Sequence, residues 1–174
     1  RDAQADWASR AVFERANIML KLHDLMLANK DKFLDLLQLE TGKSRAHAVE
    51  EFAGALGSTR YYAKIADKAL SIKSAKTGVP FLLRSFVSQV PVGVVGVITP
   101  WNYPLALTMM DVIPALMAGN AVVQKADNQT AKTVQLARDI SVAAGVPEAM
   151  WTVVHGEPAE VGNAVTDNAD YVAF

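Results

Sequence analysis

The segment from Val92 to Lys125, VGVVGVITPWNYPLALTMMDVIPALMAGNAVVQK, contains two short apolar runs separated by a stretch with helical spacing. The runs VGVVGVI and NAVVQK are rich in Val and Ile on both faces, as strands covered on both sides of a sheet are. The unit then repeats: a helical pattern, AKTVQLARDISVAAG, leads to the apolar run MWTVVHG, and a short helical stretch, EPAEVGNAVTD, leads to DYVAF. Strands that alternate with helices in this way predict an α/β fold with a doubly wound, parallel half-sheet over residues 92–174.

The residues before this unit divide into two parts. Residues 1–70 are predicted to be helical, because apolar side chains recur at three- and four-residue steps. Within LETGKS, Gly42 is predicted to end one helix and Ser44 to cap the next. The predicted apolar faces consist of Phe13, Ile18, Leu22, Leu25, Met26, Phe33, Leu36, Leu37, Leu39, Val49, Phe52, Leu56 and Tyr62.

Residues 71–91 have a different character. SIKSAKTGVP contains turn-forming residues, and FLLRSFVSQV is predicted to be one extended strand. Periodicity leaves open whether this strand joins the main sheet or extends toward a partner.

Three turns carry candidate ligand-binding residues. Ligands of doubly wound sheets bind beyond the carboxyl ends of the strands, so the turns after Ile98, Lys125 and Gly156 are expected to line one rim. No GxGxxG or GxxxxGK[ST] loop is present, so a dinucleotide would be bound without either common phosphate loop.

The turn TPWNYP has both a structural and a functional interpretation. Pro100 and Pro104 could simply end a strand and begin a helix, and Trp101 could belong to the core. Asn102 favours function, because an amide just beyond a buried strand needs a hydrogen-bonding partner that a substrate or cofactor would supply.

The turn VVQKADNQTA leaves two interpretations equally open. Asp127 or Asn128 could cap a helix, with Lys125 as a solvated charge. Alternatively, Lys125 could meet the ribose or phosphate of a nucleotide at the end of its strand. Gly156 follows the third strand at a sharp turn, where the absence of a side chain would permit close approach of a ligand.

Composition excludes several classes of protein. With 51% hydrophobic residues, 20% charged residues and a net charge of -1, the chain is globular and has no basic patch for nucleic acid. No apolar stretch is long enough to predict a membrane-spanning helix. Residues 1–174 contain no cysteine, and the three histidines lack ligand spacing, so no metal site is predicted.

Five segments together, LETGK, YYA, PVGVVGVITPWNYPL, PALMAGNAVVQK and DYVAF, resemble the NAD(P)-dependent aldehyde dehydrogenase superfamily in order and spacing. The resemblance implies an incomplete aldehyde dehydrogenase fold, with N-terminal helices (1–70), an extended segment toward the oligomerisation sheet (71–91) and a Rossmann-like half-sheet (92–174). The family's nucleophilic Cys, its general-base Glu and its pyrophosphate-binding turn follow the strand that matches DYVAF. We therefore expect residues 1–174 to be the N-terminal part of a longer enzyme and to be inactive alone.

The resemblance also implies roles for individual residues. In this family a Cys thiolate attacks the aldehyde, and the resulting thiohemiacetal transfers a hydride to the nicotinamide. Asn102 matches the residue that donates a hydrogen bond to the developing oxyanion. The matching cofactor-binding positions are Ile98, Thr99, Trp101, Lys125, Asn128 and Gly156.

Two departures from the family pattern bear on specificity. The usual Lys-Pro-Ser-Glu reads Lys125-Ala126-Asp127-Asn128, and a neutral Asn128 would tolerate the 2'-phosphate that a Glu would repel, so NADP is expected and NAD is possible. The chain most resembles succinate-semialdehyde dehydrogenases, yet Met110 stands where many of them have an Arg for the substrate carboxylate. Either a basic residue outside this segment replaces that Arg, or the aldehyde is apolar.

The resemblance further implies a small aldehyde substrate, a homo-dimer or homo-tetramer and a cytoplasmic location. Two other classes stay open from the sequence. One is a non-enzymatic nucleotide-binding module, and the other is a CoA-acylating or reductive member of the same superfamily.

Overall fold

The computed structural model describes residues 1–79 and 81–174 of the 174-residue chain. Helices α1 (Asp2–Ser9), α2 (Val12–Ala28), α3 (Lys30–Thr41) and α4 (Arg45–Leu70) form the N-terminal part. The predicted helix ends within LETGKS are confirmed. Gly42 follows α3 with a left-handed φ of 70°, and the Ser44 side chain caps α4 by accepting a hydrogen bond from the His47 N–H at 3.3 Å.

The predicted apolar faces of these helices are correct in most positions and wrong in three. Phe13, Leu39 and Val49 are exposed, with 64%, 73% and 40% of their surface accessible. Leu39 lies two residues after the buried Leu37, which turns it roughly 200° around the helix axis and away from the core.

Within residues 71–91, the segment FLLRSFVSQV does not form the single extended strand that was predicted. Strand β1 (Lys73–Ala75) lies within the segment predicted as a turn, and it pairs antiparallel with β2 (Ser85–Val87). The N–H groups of Leu82 and Leu83 donate to the Val79 carbonyl, and Phe81 has a positive φ of 73°, so the chain turns where an extended strand was expected. Pro80, also in the predicted turn, lies outside the described residues. Within the described part of the chain, β1 and β2 pair only with each other.

The predicted parallel sheet is confirmed. It consists of β3 (Val94–Thr99), β4 (Ala121–Ala126), β5 (Trp151–Val154) and β6 (Tyr171–Ala173). Across the described residues the strand order is β5-β4-β3-β6, and every pair is parallel. The order reverses between β3 and β6, which is where a doubly wound sheet opens a ligand crevice.

Helices connect the strands as the repeating pattern predicted. Helix α5 (Pro104–Met117) joins β3 to β4, and α6 (Ala131–Ala144), preceded by a 3-10 turn (Asn128–Thr130), leads toward β5. A 3-10 turn (Glu148–Met150) precedes β5. A π-helical turn (Pro158–Gly162) runs into α7 (Asn163–Asn168) before β6.

Helices cover both faces of this sheet. Gln124 of β4 donates a hydrogen bond to the Thr108 hydroxyl of α5 at 2.6 Å, which places α5 on that face. Gly96 of β3 points to the opposite face, because a Cβ there would lie 2.8 Å from Val165 and 3.0 Å from Ala169, at α7.

The N-terminal helices pack on the outer side of α5 and α6. The buried Trp7 indole donates to the Leu116 carbonyl at 2.8 Å, and the buried Arg15 guanidinium donates to the Met117 carbonyl at 3.1 Å. Burial lowers the pKa of Arg15. These bonds tie the outer helices to the end of α5 that leads into β4.

No helix in residues 1–79 and 81–174 combines the length and the apolarity that spanning a bilayer requires.

Candidate functional site

An open cleft of about 380 Å³ lies at the carboxyl ends of β3 and β4. Ile98 and Thr99 of β3 line it together with Lys125 and Asp127, and its remaining wall includes side chains between residues 158 and 166. The predicted rim therefore exists, with the ends of β3, β4 and the segment after β5 meeting at one place.

Lys125 is buried at the wall of this cleft, with 3% of its surface exposed. Its ammonium group donates to the Ala126 carbonyl at 2.9 Å and to the Asn128 side-chain oxygen at 3.3 Å. Both acceptors are neutral, and no carboxylate lies within ion-pair distance among the described residues. The interpretation of Lys125 as a solvated charge is wrong. A buried cation beside a cleft favours an anionic ligand.

The helix cap in this turn is Asp127 and not Asn128. The Asp127 carboxylate accepts a hydrogen bond from the Gln129 N–H at 2.8 Å, at the start of the 3-10 turn. Asn128 is therefore not needed as a cap.

Asn128 connects Lys125 to the turn after β5. Its oxygen accepts from the Lys125 ammonium and from the Gly156 N–H at 3.4 Å, and its NH₂ group lies 3.5 Å from the Glu157 carboxylate. Sequence analysis missed Glu157, because only the fold brings it beside a residue 29 positions away.

The need for glycine at position 156 has a structural cause. Gly156 has a left-handed φ of 144°, and a Cβ there would lie 2.5 Å from the Val161 side chain. A ligand is not required to explain this glycine.

The TPWNYP turn lies at the end of β3 and exposes its polar residue. Trp101 is 51% exposed, so the interpretation of Trp101 as part of the core is wrong. The side-chain oxygen of Asn102 accepts a hydrogen bond from the Tyr103 N–H at 3.1 Å. The NH₂ group of Asn102 makes no hydrogen bond within the part of the chain that the structure describes, and it is available as a donor.

Two residues that sequence analysis did not identify hold this turn in place. The Lys43 ammonium donates to the Asn102 carbonyl at 2.8 Å and pairs with the Glu51 carboxylate. Glu51 in turn accepts hydrogen bonds from N–H groups at the start of α5. LETGK was recognised as a helix boundary and as one of the segments that carry the family resemblance, but its contact with Asn102 was missed because it spans 59 residues of sequence.

Thr99 offers its backbone to the cleft, because its hydroxyl is engaged in the core. The Gln124 amide donates to the hydroxyls of Thr99 at 2.9 Å and of Thr108, and its oxygen accepts from the Trp151 indole at 2.9 Å. All four side chains are buried. A cofactor contact through the Thr99 backbone is compatible with this network.

Asp111 is another residue that sequence analysis missed. It lies on α5 and, with Ile98, Thr99 and Pro100, lines a smaller cavity of about 290 Å³ next to the cleft. Burial raises the pKa of this carboxyl group. The available signal was that Asp111 is the one charged residue within α5.

The structure therefore groups the predicted residues in two places. Ile98, Thr99 and Lys125 share the cleft, to which Asn128 and Gly156 are joined by hydrogen bonds. Trp101 and Asn102 stand on the adjoining turn and do not line the cleft. Across the described residues no three His, Cys, Asp or Glu side chains are arranged to hold a metal ion.

Comparison with known proteins identifies the family. Residues 1–174 match the aldehyde dehydrogenase family. The chain is 43% identical over 174 residues to a Mycobacterium tuberculosis protein and 45% identical to a Mycolicibacterium smegmatis protein, both named as putative NADP(+) succinate-semialdehyde dehydrogenases. Each alignment covers 100% of this chain and 34% of the relative.

A solved structure of an aldehyde dehydrogenase from Brucella melitensis biovar abortus is similar in fold. It superposes with a TM-score of 0.91 at 31% identity, covering 96% of this chain and 34% of that one. The chain thus spans about a third of the length of the relatives that it matches.

Proposed function

This chain belongs to the aldehyde dehydrogenase family, and we propose that it forms the cofactor-binding part of an NADP-dependent enzyme that oxidises an aldehyde to the carboxylic acid. One observation carries the proposal. At the carboxyl end of β3, the side-chain oxygen of Asn102 accepts from the Tyr103 N–H, and its NH₂ group has no hydrogen-bond partner among the described residues and can donate. Such a donor is what an aldehyde oxygen requires when negative charge develops on it.

The described residues fit the adenosine side of a nicotinamide dinucleotide. Lys125 is a buried cation at the wall of the cleft and would bind a ribose hydroxyl or a 2'-phosphate. Ile98 and Thr99 would contact the cofactor through their backbones. When bound, NADP supplies the hydride acceptor.

Cofactor choice follows from the neutral residue beside Lys125. Asn128 contributes no negative charge, so a 2'-phosphate at Lys125 is tolerated, and we propose NADP as the preferred cofactor with NAD as an alternative. Two relatives are named as NADP(+) enzymes, which supports this choice.

Asn102 contributes to the chemistry by hydrogen bonding. Its NH₂ group would donate to the oxyanion that forms when a nucleophile adds to the aldehyde carbon. Removing one such donor typically costs about 3 kcal/mol of transition-state stabilisation.

The proposed substrate is a small aldehyde, and the names of the two relatives favour succinate semialdehyde. Met110 is 46% exposed and cannot pair with a carboxylate, so a carboxylated substrate would need a cation elsewhere in the enzyme. A homo-dimer or homo-tetramer and a cytoplasmic location belong to the same proposal, and they are supported by the family resemblance alone.

The proposal is tested by replacing Asn102 with Ala in the complete enzyme. We expect kcat for aldehyde oxidation to fall by roughly two to three orders of magnitude, with the Kd for NADP changed less than about twofold. Asn168→Ala, an amide at the end of α7, serves as the matched control and should leave kcat within about twofold. An Asn102→Ala enzyme with the wild-type kcat would refute the proposal.

A further inference from the structure

We infer that Lys43 and Glu51 are positioning residues that hold Asn102 in the orientation needed for catalysis. This inference rests on the proposed function, because it assigns the pair a role only through the Asn102 amide. It assigns the LETGK segment a role beyond that of a boundary between two helices.

Glu51 caps the N-terminus of α5. Its side chain is completely buried, and one carboxylate oxygen accepts from the Leu105 N–H at 2.8 Å and the Ala106 N–H at 3.2 Å. Tyr103, which precedes this helix, provides no side-chain cap, so Glu51 satisfies two N–H groups that would otherwise be buried without partners.

Lys43 connects this buried carboxylate to the residue of interest. Its ammonium group pairs with Glu51, donates to the Asn102 carbonyl at 2.8 Å and lies 4.5 Å from the centre of the Tyr103 ring. Only 10% of the Lys43 side chain is exposed. One cation therefore contacts both residues of the turn that determine where the Asn102 side chain points.

These contacts hold Asn102 at two atoms, one in the backbone and one in the side chain. Lys43 holds the backbone carbonyl, and the Tyr103 N–H holds the side-chain oxygen. With both oxygens engaged in hydrogen bonds, the orientation of the NH₂ group is fixed. Loss of Lys43 would release the carbonyl and the Tyr103 ring together, and the donor would lose its fixed direction.

Stability alone is a weak explanation for this arrangement. Buried ion pairs contribute little net stability, since the cost of removing both charges from water offsets their attraction. Their directional bonds do specify one geometry, which is what a hydrogen-bond donor for an oxyanion requires.

The chain contains a matched pair of contacts that serves as a control. Glu40 of α3 accepts from the Lys132 and Thr133 N–H groups at 2.9 Å each, at the start of α6, as Glu51 does at the start of α5. No lysine bridges Glu40 to a catalytic residue in the described part of the chain. Glu40→Gln therefore removes a carboxylate cap without disturbing Asn102.

The experiment is a double-mutant cycle in the complete enzyme with Lys43→Met and Asn102→Ala. Lys43→Met alone should lower kcat by roughly 10- to 100-fold, the loss expected when a catalytic group is displaced by about 1 Å. The Kd for NADP, measured by titration of the free enzyme, should change less than about twofold. In the Asn102→Ala background, Lys43→Met should lower kcat by no more than about twofold, because its target is already gone.

Two further variants keep the test decisive if Lys43→Met folds poorly. Glu51→Gln retains an oxygen for the α5 N–H groups and removes the charge that holds Lys43, so it should show the same loss of additivity with Asn102→Ala. Glu40→Gln should leave kcat at saturating NADP within about twofold. Thermal unfolding of each variant separates the loss of structure from the loss of rate.

The outcomes separate this inference from the proposed function. If the two losses in kcat multiply in the double variant, Lys43 acts independently of Asn102 and the positioning role is refuted. If Asn102→Ala lowers kcat and neither Lys43→Met nor Glu51→Gln does, the positioning role again fails and the proposed function stands. If Asn102→Ala leaves kcat unchanged, both fail.

Discussion

Replacing Asn128 with Glu is expected to shift the cofactor preference of the complete enzyme from NADP toward NAD. The side-chain oxygen of Asn128 lies 3.3 Å from the Lys125 ammonium, and its NH₂ group lies 3.5 Å from Glu157. A carboxylate at this position would compete for Lys125 and would face any phosphate that the same ammonium binds.

The size of the shift follows from these distances. The side-chain oxygen at position 128 lies 3.3 Å from the Lys125 ammonium, and a phosphate oxygen that accepts from the same ammonium would lie about 2.8 Å from it. The two oxygens are therefore no more than about 6 Å apart. Two unit charges at about 6 Å repel by roughly 3 kcal/mol at an effective dielectric of about 20. Because Asn128 is exposed, solvent lowers this to about 1.4 to 2.7 kcal/mol, which is roughly 10- to 100-fold in preference.

The assay compares kcat/KM for NADP with kcat/KM for NAD in the wild type and in three variants. Asn128→Glu should lower the NADP/NAD ratio by that factor, and Asn128→Gln, which adds no charge, should leave it within about threefold. Glu157→Gln removes a carboxylate from the same place and should raise the ratio. A ratio that is the same in Asn128→Glu and the wild type would refute the assignment of this edge to the 2' position of the ribose.

Two further predictions concern stability. Gln124→Leu should lower the free energy of unfolding by about 2 to 4 kcal/mol in chemical denaturation, because the buried Trp151 N–H loses its acceptor. The same change at Gln135 of α6, a partly buried residue whose amide donates to Asp139 at the surface, should cost less than about 0.5 kcal/mol. The hydrogen bond from the Arg1 guanidinium holds the pKa of Asp170 below its ordinary value, so this carboxylate stabilises the fold above the unfolded pKa near about 4 and ceases to do so as the pH falls through the folded pKa. Asp170→Asn should therefore lower Tm at pH 7 but not at a pH below the folded pKa, and equal Tm differences at these two pH values would contradict the prediction.

The parallel sheet was predictable from sequence because its signal is local. β3 and β4 are short, Val-containing strands with turn residues at both ends, and burial on both faces leaves no alternation to confuse them with exposed strands. The segment before the sheet was not predictable in the same way. FLLRSFVSQV has a strand-like composition, but its first residue, Phe81, adopts a left-handed φ, which composition does not favour.

The candidate site shows the same division between local and long-range information. The positions of Ile98, Thr99 and Lys125 at one rim follow from strand order, which parallel connectivity implies. The burial of Lys125 and the bond between Lys43 and Asn102 depend on which helices pack beneath the turns, and helical periodicity does not specify that packing.

The two carboxylates beneath the rim also bear on where an anion can bind. The N-termini of α5 and α6 point to the ligand edge and would ordinarily attract phosphate. Glu51 and Glu40 already accept from the N–H groups of the second and third residues of these helices, so each N-terminus is occupied by a negative charge of the protein itself. An incoming phosphate would find neither free donors nor a favourable potential there. Lys125 is a buried cation at the wall of the cleft whose hydrogen-bonding partners are neutral, so it is then the group that favours an anion. A single residue beside it, Asn128, is therefore expected to decide between cofactors.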